Sequence, residues 1–174
     1  DVVLVQGTGG VSTFALQFAA ASGAKVIVTS SSDEKIARAK ALGAAEGINY
    51  KATPDWSKRV LELTGGHGAD LVVDVGGKNT LRMSAQCLAW YGTLSIVGGL
   101  SGYDGDIPAV DLLMKRARAQ GIYVGSREDY LAMSRFITEH QLKPAIERTF
   151  PFGQYEDALK LMESGGFVGK IVLT

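Results

Sequence analysis

The chain has 174 residues, and its eighteen basic and eighteen acidic side chains cancel to a net charge of zero. This length allows one domain of ordinary size, or one domain with a short appendage, and either can bury a sizeable core. The balanced charge, without a basic stripe interleaved with aromatic residues, argues against a nucleic-acid partner. No run of about eighteen apolar residues occurs, so no membrane span is predicted.

Cys87 is the only cysteine, so no intrachain disulfide can form, which is typical of a reducing compartment. No basic segment followed by an apolar core and small cleavage residues opens the chain. We therefore expect a cytoplasmic protein. Because Asp1 is not a methionine and the residues after it already have the pattern of a buried strand, we also expect the natural chain to continue upstream.

Short β-branched runs alternate with helical patterns along the chain. This alternation is typical of βαβ units, which build a parallel sheet covered on both faces. Six strands are predicted, at residues 2–6, 25–30, 47–50, 70–75, 93–97 and 120–124. Six is the number of strands in a doubly wound sheet.

The helices between these strands are predicted from spacing and caps. The first helix carries an apolar stripe formed by Phe14, Phe18 and Ala21. The second begins at a capping box of Ser31 and Glu34 and ends before Gly43. Further helices are predicted after Pro54 and at residues 80–90, 128–140 and 155–163, with additional strands at residues 147–150 and 170–173.

The rhythm of strands and helices changes after Gly125. We therefore divide the chain into a nucleotide-binding domain at residues 1–126 and a C-terminal segment at residues 127–174. The predicted fold is α/β, a Rossmann doubly wound, six-stranded parallel sheet with helices on both faces. The C-terminal segment is predicted to be an α/β appendage.

A glycine-rich turn follows the first strand directly and opens the first helix. Gly7, Gly9 and Ser12 occupy the G-x-G-x-x-G frame. The first glycine permits the tight turn, the second lets a diphosphate approach the backbone, and the third position needs a small residue. Free N–H groups and the positive end of the helix dipole then face the phosphates. We interpret the turn as a dinucleotide site rather than a simple loop, because strand and helix both stand where the motif requires them.

Three further predicted strands also end in glycine, at Gly76 and Gly77, at Gly98 and Gly99, and at Gly125. Ligands of open α/β sheets bind at the carboxyl ends of the strands. Small residues there would leave room for ribose and nicotinamide, although glycines also simply mark loops. Because the glycines share one location, we favour the ligand interpretation.

The residue about twenty positions beyond the first glycine indicates which dinucleotide binds. An NAD site places a carboxylate there, whereas this chain has Ser30, followed by Ser31 and Lys35. A serine does not repel a 2′-phosphate, and the neighbouring hydroxyl and ammonium can bind one. We therefore predict NADP(H) as the cofactor. The alternative is that the serines only cap the next helix and that Lys35 is solvated.

Six segments together resemble quinone-oxidoreductase-like and zinc-type alcohol dehydrogenase-like members of the medium-chain dehydrogenase/reductase superfamily. They are GTGGVS, TSSSDEK, ALGAAEGINY, HGADLVVDVGG, GTLSIVGGLSG and QGIYVGS. The resemblance covers nearly the whole chain but does not separate the quinone, enone and alcohol branches. It implies hydride transfer between NADP(H) and a small-molecule quinone, enone, alcohol or aldehyde.

The resemblance also implies which residues contact the cofactor. The turn that meets the pyrophosphate comprises Gly7, Thr8, Gly9, Gly10 and Val11. The 2′-phosphate would be surrounded by Ser30, Ser31, Lys35 and Tyr50. The ribose side would be lined by Val75, Gly76 and Gly77, and the nicotinamide side by Val97, Gly98, Tyr123 and Val124. Lys170, near the end of the chain, would lie close to the cofactor phosphates.

The family's N-terminal domain, which carries the substrate-polarising groups and any zinc ligands, would lie upstream of Asp1. The C-terminal segment resembles the part that crosses back to complete that domain. We therefore predict no catalytic residue and no metal ligand in this chain, and expect the chain alone to be inactive. His67, His140 and Cys87 lack metal-ligand spacing, and Cys87 is predicted to be a buried helix thiol.

Two other functions remain open at this point. A methyltransferase that uses S-adenosylmethionine has a related sheet and glycine turn, but it would want an acidic ribose partner where Ser30 stands. The second is a module that binds NADPH without catalysing a reaction. In assembly, the strand at residues 120–124, which begins at Gln120, should be an open apolar edge. Because the family joins its sheets at this edge, we predict a homodimer.

Overall fold

The computed structural model describes residues 1–174 and contains two sheets. The larger consists of β1 (Val2–Gln6), β2 (Lys25–Ser30), β3 (Glu46–Asn49), β4 (Ala69–Asp74), β5 (Leu88–Ile96) and β6 (Arg118–Gly121). These six strands are parallel and stand in the order β3-β2-β1-β4-β5-β6. This is the strand order of a doubly wound dinucleotide-binding sheet, so the predicted fold class is confirmed. The smaller sheet pairs β7 (Ile146–Phe150) with β8 (Lys170–Leu173).

Seven α-helices connect the strands. They are α1 (Gly10–Ala21), α2 (Asp33–Ala41), α3 (Trp56–Leu63), α4 (Leu81–Gln86), α5 (Ala109–Lys115), α6 (Arg127–Glu139) and α7 (Tyr155–Ser164). A short 3-10 turn at Phe152–Gln154 precedes α7. None of these helices has the length and apolar character needed to cross a membrane.

The central strand β1 supplies two separate cores, because successive strand residues point to opposite faces of a sheet. Leu4 packs with Trp56 on the face covered by α3 and α4. Val5 packs with Leu16 on the face covered by α1 and α2. Burying each such aliphatic side chain stabilises the fold by about 1.5–3 kcal/mol. Because helices cover both faces of the sheet, the candidate site lies at the carboxyl ends of the strands.

The apolar stripe predicted on α1 faces the C-terminal segment rather than the sheet. Leu16 is the α1 side chain that enters the core, where it is 1% exposed. Phe14 and Phe18 are only half-buried, and the Phe18 ring packs edge-on against Phe136 of α6, with 5.7 Å between centroids. The helix therefore has two apolar faces, one for the sheet and one for α6.

The predicted capping box of α2 is wrong by one residue. Ser32, and not Ser31, is the cap, and its hydroxyl accepts the N–H of Lys35 at 3.3 Å. The helix therefore begins at Asp33, and a lysine stands where a capping box would need Glu or Gln. Gly43 does follow the helix, with a φ of +113°. Because Ser32 is the cap, the Ser31 hydroxyl does not cap the helix, and Ser31 lines the groove described below.

On the far side of the sheet, two predicted elements have different bounds and one helix was not predicted. The helix predicted to reach residue 90 ends at Gln86, because β5 already begins at Leu88, which pairs with Ala69 of β4. Cys87 is thus a fully buried residue just after the helix rather than within it. The last strand occupies Arg118–Gly121 instead of residues 120–124. The short helix α5, which packs Leu112 against the core but has no fully buried residue, was not predicted.

The C-terminal segment, residues 127–174, packs against α1 and α2. The Gly169 N–H donates to the Thr8 carbonyl at 2.8 Å, and Gly169 forms a parallel bridge with Gly9. The Gln17 amide donates to the Lys143 carbonyl at 2.8 Å. These contacts bring the segment to the rim of the glycine-rich turn.

Candidate cofactor groove

A groove of about 520 Å³ lies at the carboxyl ends of the parallel strands. The predicted site residues that line it are Gly7, Thr8, Gly9, Gly10, Val11, Ser30, Ser31, Lys35, Tyr50, Val75, Val97 and Gly98. An adjoining cavity of about 470 Å³ shares Gln6, Gly7, Tyr50, Val75 and Leu100 with the groove and adds Gly76 to its lining. Together they make one elongated site of a size that suits a dinucleotide.

The glycine-rich turn joins β1 to α1 with a bare backbone facing the groove. Gly7 adopts a φ of +74°, which favours glycine, and its N–H donates to the Thr29 carbonyl at 2.8 Å. The Ser12 hydroxyl donates to the Gln6 carbonyl at 2.6 Å, so this small residue ties the helix to the end of β1. The first turn of α1 has no acidic side chain. Its free N–H groups and positive dipole end therefore suit an anion.

The glycines at the strand ends are not equivalent. An added methyl group at Gly98 would lie 2.9 Å from the Val75 carbonyl oxygen, and one at Gly77, whose φ is +78°, would overlap the Gly102 carbonyl. The fold itself therefore requires these two glycines. At Gly9 the same methyl group would meet nothing within 4 Å, and the backbone is extended, with a φ of −75°. No intramolecular contact requires glycine at position 9, whereas a ligand that must touch the backbone would.

One corner of the groove gathers Ser30, Ser31, Lys35 and Tyr50. Ser30 ends β2, and its carbonyl accepts the Tyr50 N–H at 3.0 Å, which brings the end of β3 beside it. Tyr50 is 41% exposed. The Lys35 ammonium donates to the Gly165 carbonyl, so it is anchored at the groove rather than free in solvent. The corner carries a cation and hydroxyls but no carboxylate among its lining residues.

A buried carboxylate holds together the ends of β1 and β4, beside the two cavities. Asp74, at the end of β4 and fully buried, accepts the N–H groups of Gly76 and Gly77 at 3.0 and 2.9 Å and the Thr80 hydroxyl at 2.8 Å. Its other oxygen accepts the Gln6 amide at 3.0 Å and the Ser84 hydroxyl at 2.6 Å. Because every lone-pair direction is used, the carboxylate holds the turn after β4 against the end of β1.

The predicted nicotinamide side divides into residues at the groove and residues away from it. Val97 and Gly98 line the groove. Tyr123 and Val124 are 96% and 77% exposed, because β6 ends at Gly121 and the chain leaves the sheet before them. The structure therefore does not bring these two residues to the site.

Two other predicted residues lie beside the lining. Gly77 is held by Asp74 under the turn. The Lys170 side chain lies against Gly10, since a methyl group added there would overlap its ammonium. This places a second cation at the start of α1.

Ser12, from the glycine frame, and Gly99, from the glycines at the strand ends, also line the groove. The lining residues that were not predicted are Gln6, Leu100, Tyr103, Gly165 and Phe167. Leu100 and Tyr103 belong to the loop that follows β5, so their position at a strand end could have indicated them. Gly165 and Phe167 come from the far end of the chain. No local sequence pattern predicts them, because they reach the groove only through tertiary contacts with residues far away in the chain.

The side chains that could ligate a metal are dispersed and engaged elsewhere. No group of three or more His, Cys, Asp or Glu side chains is close enough to hold a metal ion. Burial raises the pKa of the Cys87 thiol to about 12, which opposes the thiolate form that metals bind. His67 pairs with Asp70 at 2.9 Å, and the His140 ring packs on Phe136. The donor set of this chain therefore does not fit a zinc site.

Comparisons with known proteins give a consistent result. A sequence model of the family described as zinc-binding dehydrogenase matches residues 10–139. A zinc-type alcohol dehydrogenase-like protein of Schizosaccharomyces pombe is 45% identical over 98% of this chain and 51% of its own length. The crystal structure of a putative alcohol dehydrogenase from Sinorhizobium meliloti superposes with a TM-score of 0.93 and 43% identity, over 99% of this chain and 50% of that one.

The descriptions of two further solved structures mention a nicotinamide cofactor. One described as an NAD-dependent alcohol dehydrogenase has a TM-score of 0.89 and 38% identity, over 100% of this chain and 51% of that one. A mycobacterial protein complexed with NADPH has a TM-score of 0.82 and 28% identity, over 99% of this chain and 57% of that one. The chain thus spans about half the length of the relatives it matches.

Proposed function

Because the chain belongs to the zinc-binding dehydrogenase family of the medium-chain dehydrogenase/reductase superfamily, we propose that it is the NADP(H)-binding part of an oxidoreductase. The observation that carries this proposal is the exposed backbone of the glycine-rich turn at Gly9. That residue opens α1, faces open space, and has no intramolecular reason to be glycine. A diphosphate lying against the amides of the turn supplies the reason.

We assign the phosphates of the cofactor to two cations. Lys170 lies against Gly10 at the start of α1, where it can neutralise the pyrophosphate. Lys35, with Ser30, Ser31 and Tyr50, forms the corner for the 2′-phosphate. Ribose and adenine then occupy the adjoining cavity beside Val75 and Gly76, above the turn that Asp74 holds.

The preference for NADPH over NADH follows from the charges of this corner. A charge-assisted hydrogen bond contributes about 1.5–3 kcal/mol, so the Lys35 ammonium alone corresponds to a preference of roughly tenfold to a hundredfold. Titrating the protein with NADPH and with NADH, with S-adenosylmethionine as a third ligand, tests the assignment. We expect NADPH to bind most tightly. Equal or tighter NADH binding contradicts the phosphate assignment, and binding of S-adenosylmethionine alone contradicts the nicotinamide function.

The groove prepares hydride transfer by holding the ring and leaving one face open. When bound, the nicotinamide supplies a hydride from C4 to a carbon of a quinone, enone or carbonyl substrate. Val97 and Gly98 line the groove where the ring would lie, and Leu100 and Tyr103 project beside them. We assign no acid, base or metal ligand of the reaction to this chain, so the polarising groups belong to the rest of the enzyme.

The division into a nucleotide-binding domain at residues 1–126 and a return segment at residues 127–174 forms part of this proposal. The return segment presents an apolar cavity of about 330 Å³ that includes Phe152, Leu159 and Leu173. We assign it to the interface with the catalytic domain. We also propose a homodimer through the exposed edge strand β6. Sedimentation at micromolar concentration is expected to give a dimer, and a monomer contradicts this assignment.

A further inference from the structure

We propose that Glu147 is a positioning residue for the 2′-phosphate, because it fixes the loop that holds the Lys35 ammonium at the groove. The inference rests on the proposed NADP(H) function and adds to it a specificity determinant from the return segment. Glu147 itself does not line the groove. Its influence passes through the loop at residues 165–169 and through helix α2.

The loop at residues 165–169, between α7 and β8, forms one wall of the groove. Gly165 and Phe167 both line it. Gly165 has a φ of +62° and Gly169 a φ of +83°, so the loop turns sharply at both ends. At its far end, the Gly169 N–H donates to the Thr8 carbonyl of the glycine-rich turn at 2.8 Å.

Glu147 fixes the middle of this loop. One oxygen of its carboxylate accepts the Val168 N–H at 2.9 Å and also pairs with the Arg38 guanidinium at 2.7 Å. The Val168 bond lowers the pKa of Glu147, and Arg38 and Arg148 lower it further against the opposing effect of burial. The carboxylate is therefore ionised at neutral pH. Its side chain is 19% exposed, which shields the pair from solvent more than a typical surface pair.

Helix α2 contacts both Glu147 and the loop at residues 165–169. Lys35 and Arg38 are three residues apart and therefore lie on the same side of the helix. Arg38 reaches Glu147, and the Lys35 ammonium reaches the carbonyl of Gly165. An ammonium has three donors, so the bond to Gly165 leaves two for a phosphate. Anchoring the long side chain in advance reduces the conformational entropy that is lost when the phosphate binds.

A purely structural role for Glu147 makes a different prediction from a role that acts through Lys35. If the residue merely stabilises the fold, its removal weakens NADPH and NADH binding alike. If it positions Lys35, its removal weakens NADPH alone, and only while Lys35 is present. The ratio of the two affinities and its dependence on Lys35 therefore separate the two roles.

The experiment measures the dissociation constants of NADPH and NADH for the purified wild-type protein and a set of variants. These are Glu147→Leu, Glu147→Gln, Lys35→Ala and the double variant of Glu147→Leu with Lys35→Ala. Glu147→Gln keeps an oxygen that can accept both the Val168 N–H and an N–H of Arg38. Glu62→Leu serves as the matched control, since Glu62 also pairs with an arginine, Arg59 at 2.7 Å, but on α3 away from the loop.

We expect Glu147→Leu to weaken NADPH binding by about three- to tenfold, the effect of losing the pre-ordering of one long side chain. NADH binding should change by less than about twofold, and Glu147→Gln should restore most of the NADPH affinity. In the Lys35→Ala background, the added Glu147→Leu substitution should have no further effect. The Glu62→Leu variant should behave as wild type.

An equal loss for both cofactors, or a loss that persists without Lys35, overturns the proposal while leaving the NADP(H) function intact. A wild-type protein without any preference for NADPH contradicts the proposed function instead. If the Glu147→Leu protein binds neither cofactor, Arg38→Met replaces it, because this change removes the link between Glu147 and α2 while the Val168 bond to the loop stays in place. A selective loss of NADPH affinity in that variant supports the proposal, and no selective loss overturns it.

Discussion

The two ends of the groove differ in how completely this chain builds them. At the phosphate end, the backbone of the glycine-rich turn, the corner around Lys35 and the loop at residues 165–169 all face one space. At the nicotinamide end, Leu100 and Tyr103 are each 87% exposed, and Tyr123 and Val124 point into solvent. We infer that binding affinity arises at the phosphate end, where this chain builds the walls of the groove.

The glycines of the site show the same contrast. Some are glycine because neighbouring backbone leaves no room for a side chain, and one has no such constraint. Gly77 and Gly98 are required by neighbouring backbone, whether or not a ligand binds. Gly9 is required by no atom of the chain. Among the glycines of the site, one without an intramolecular cause is the stronger indication of a bound ligand.

The largest effect is expected from Gly9→Val. The new side chain would occupy open space in the groove, so the fold should remain intact while NADPH binding weakens by about a hundredfold or more, as expected from losing two charge-assisted hydrogen bonds. Calorimetric titration measures the affinity, and a thermal melt measures the stability. Gly153→Val is the control, since Gly153 also has no neighbour within 4 Å of an added methyl group but lies outside the groove. Normal NADPH binding by the Gly9→Val protein would break the comparison.

An intermediate effect is expected from Ser30→Asp at the 2′-phosphate corner. A carboxylate there repels the phosphate, so NADPH binding should weaken by roughly tenfold to a hundredfold. NADH should bind at least as tightly as before, because a carboxylate can accept its ribose hydroxyl. Ser30 is 2% exposed, so NADH binding also reports whether the variant has folded. Parallel weakening of both cofactors would separate Ser30 from phosphate recognition.

The smallest effect is expected from Tyr123→Ala, because the structure places this predicted nicotinamide contact outside the groove. The ring is 96% exposed, so its removal should change NADPH affinity by less than about twofold. Fluorescence titration of the reduced cofactor is sensitive enough to detect a larger change. A loss of tenfold would show that the reactive end contributes to binding and would contradict the contrast between the two ends.

The sequence predicted the fold because the fold depends on local patterns, and the glycine pattern also indicated the turn that lines the groove. Alternation of β-branched runs with helical spacing identified each strand of the large sheet, and the bounds of β1 and β2 agree residue for residue. Glycines in frame after β1 located the turn. The cap of α2 was misplaced because three successive serines, residues 30–32, offer three possible caps, and only packing selects Ser32.

The rest of the site depends on contacts between residues that are distant in the chain. Lys35 meets Gly165 across 130 residues, and Arg38 meets Glu147 across a similar span. Tyr123 was assigned to the groove by the family resemblance, whereas β6 ends at Gly121 and leaves Tyr123 outside the groove. The spacing of residue types along the sequence predicts neither a tertiary contact nor the residue at which an exposed edge strand ends.

The most direct test of the account follows the backbone amides during titration with NADPH. The chain has a mass of 18.4 kDa, which suits two-dimensional NMR of a ¹⁵N-labelled sample. We expect the largest shifts at residues 9–12 and at Ser30, Ser31 and Lys35, and almost none at Tyr123 and Val124. Saturable binding that leaves the amides of residues 9–12 unshifted would contradict it.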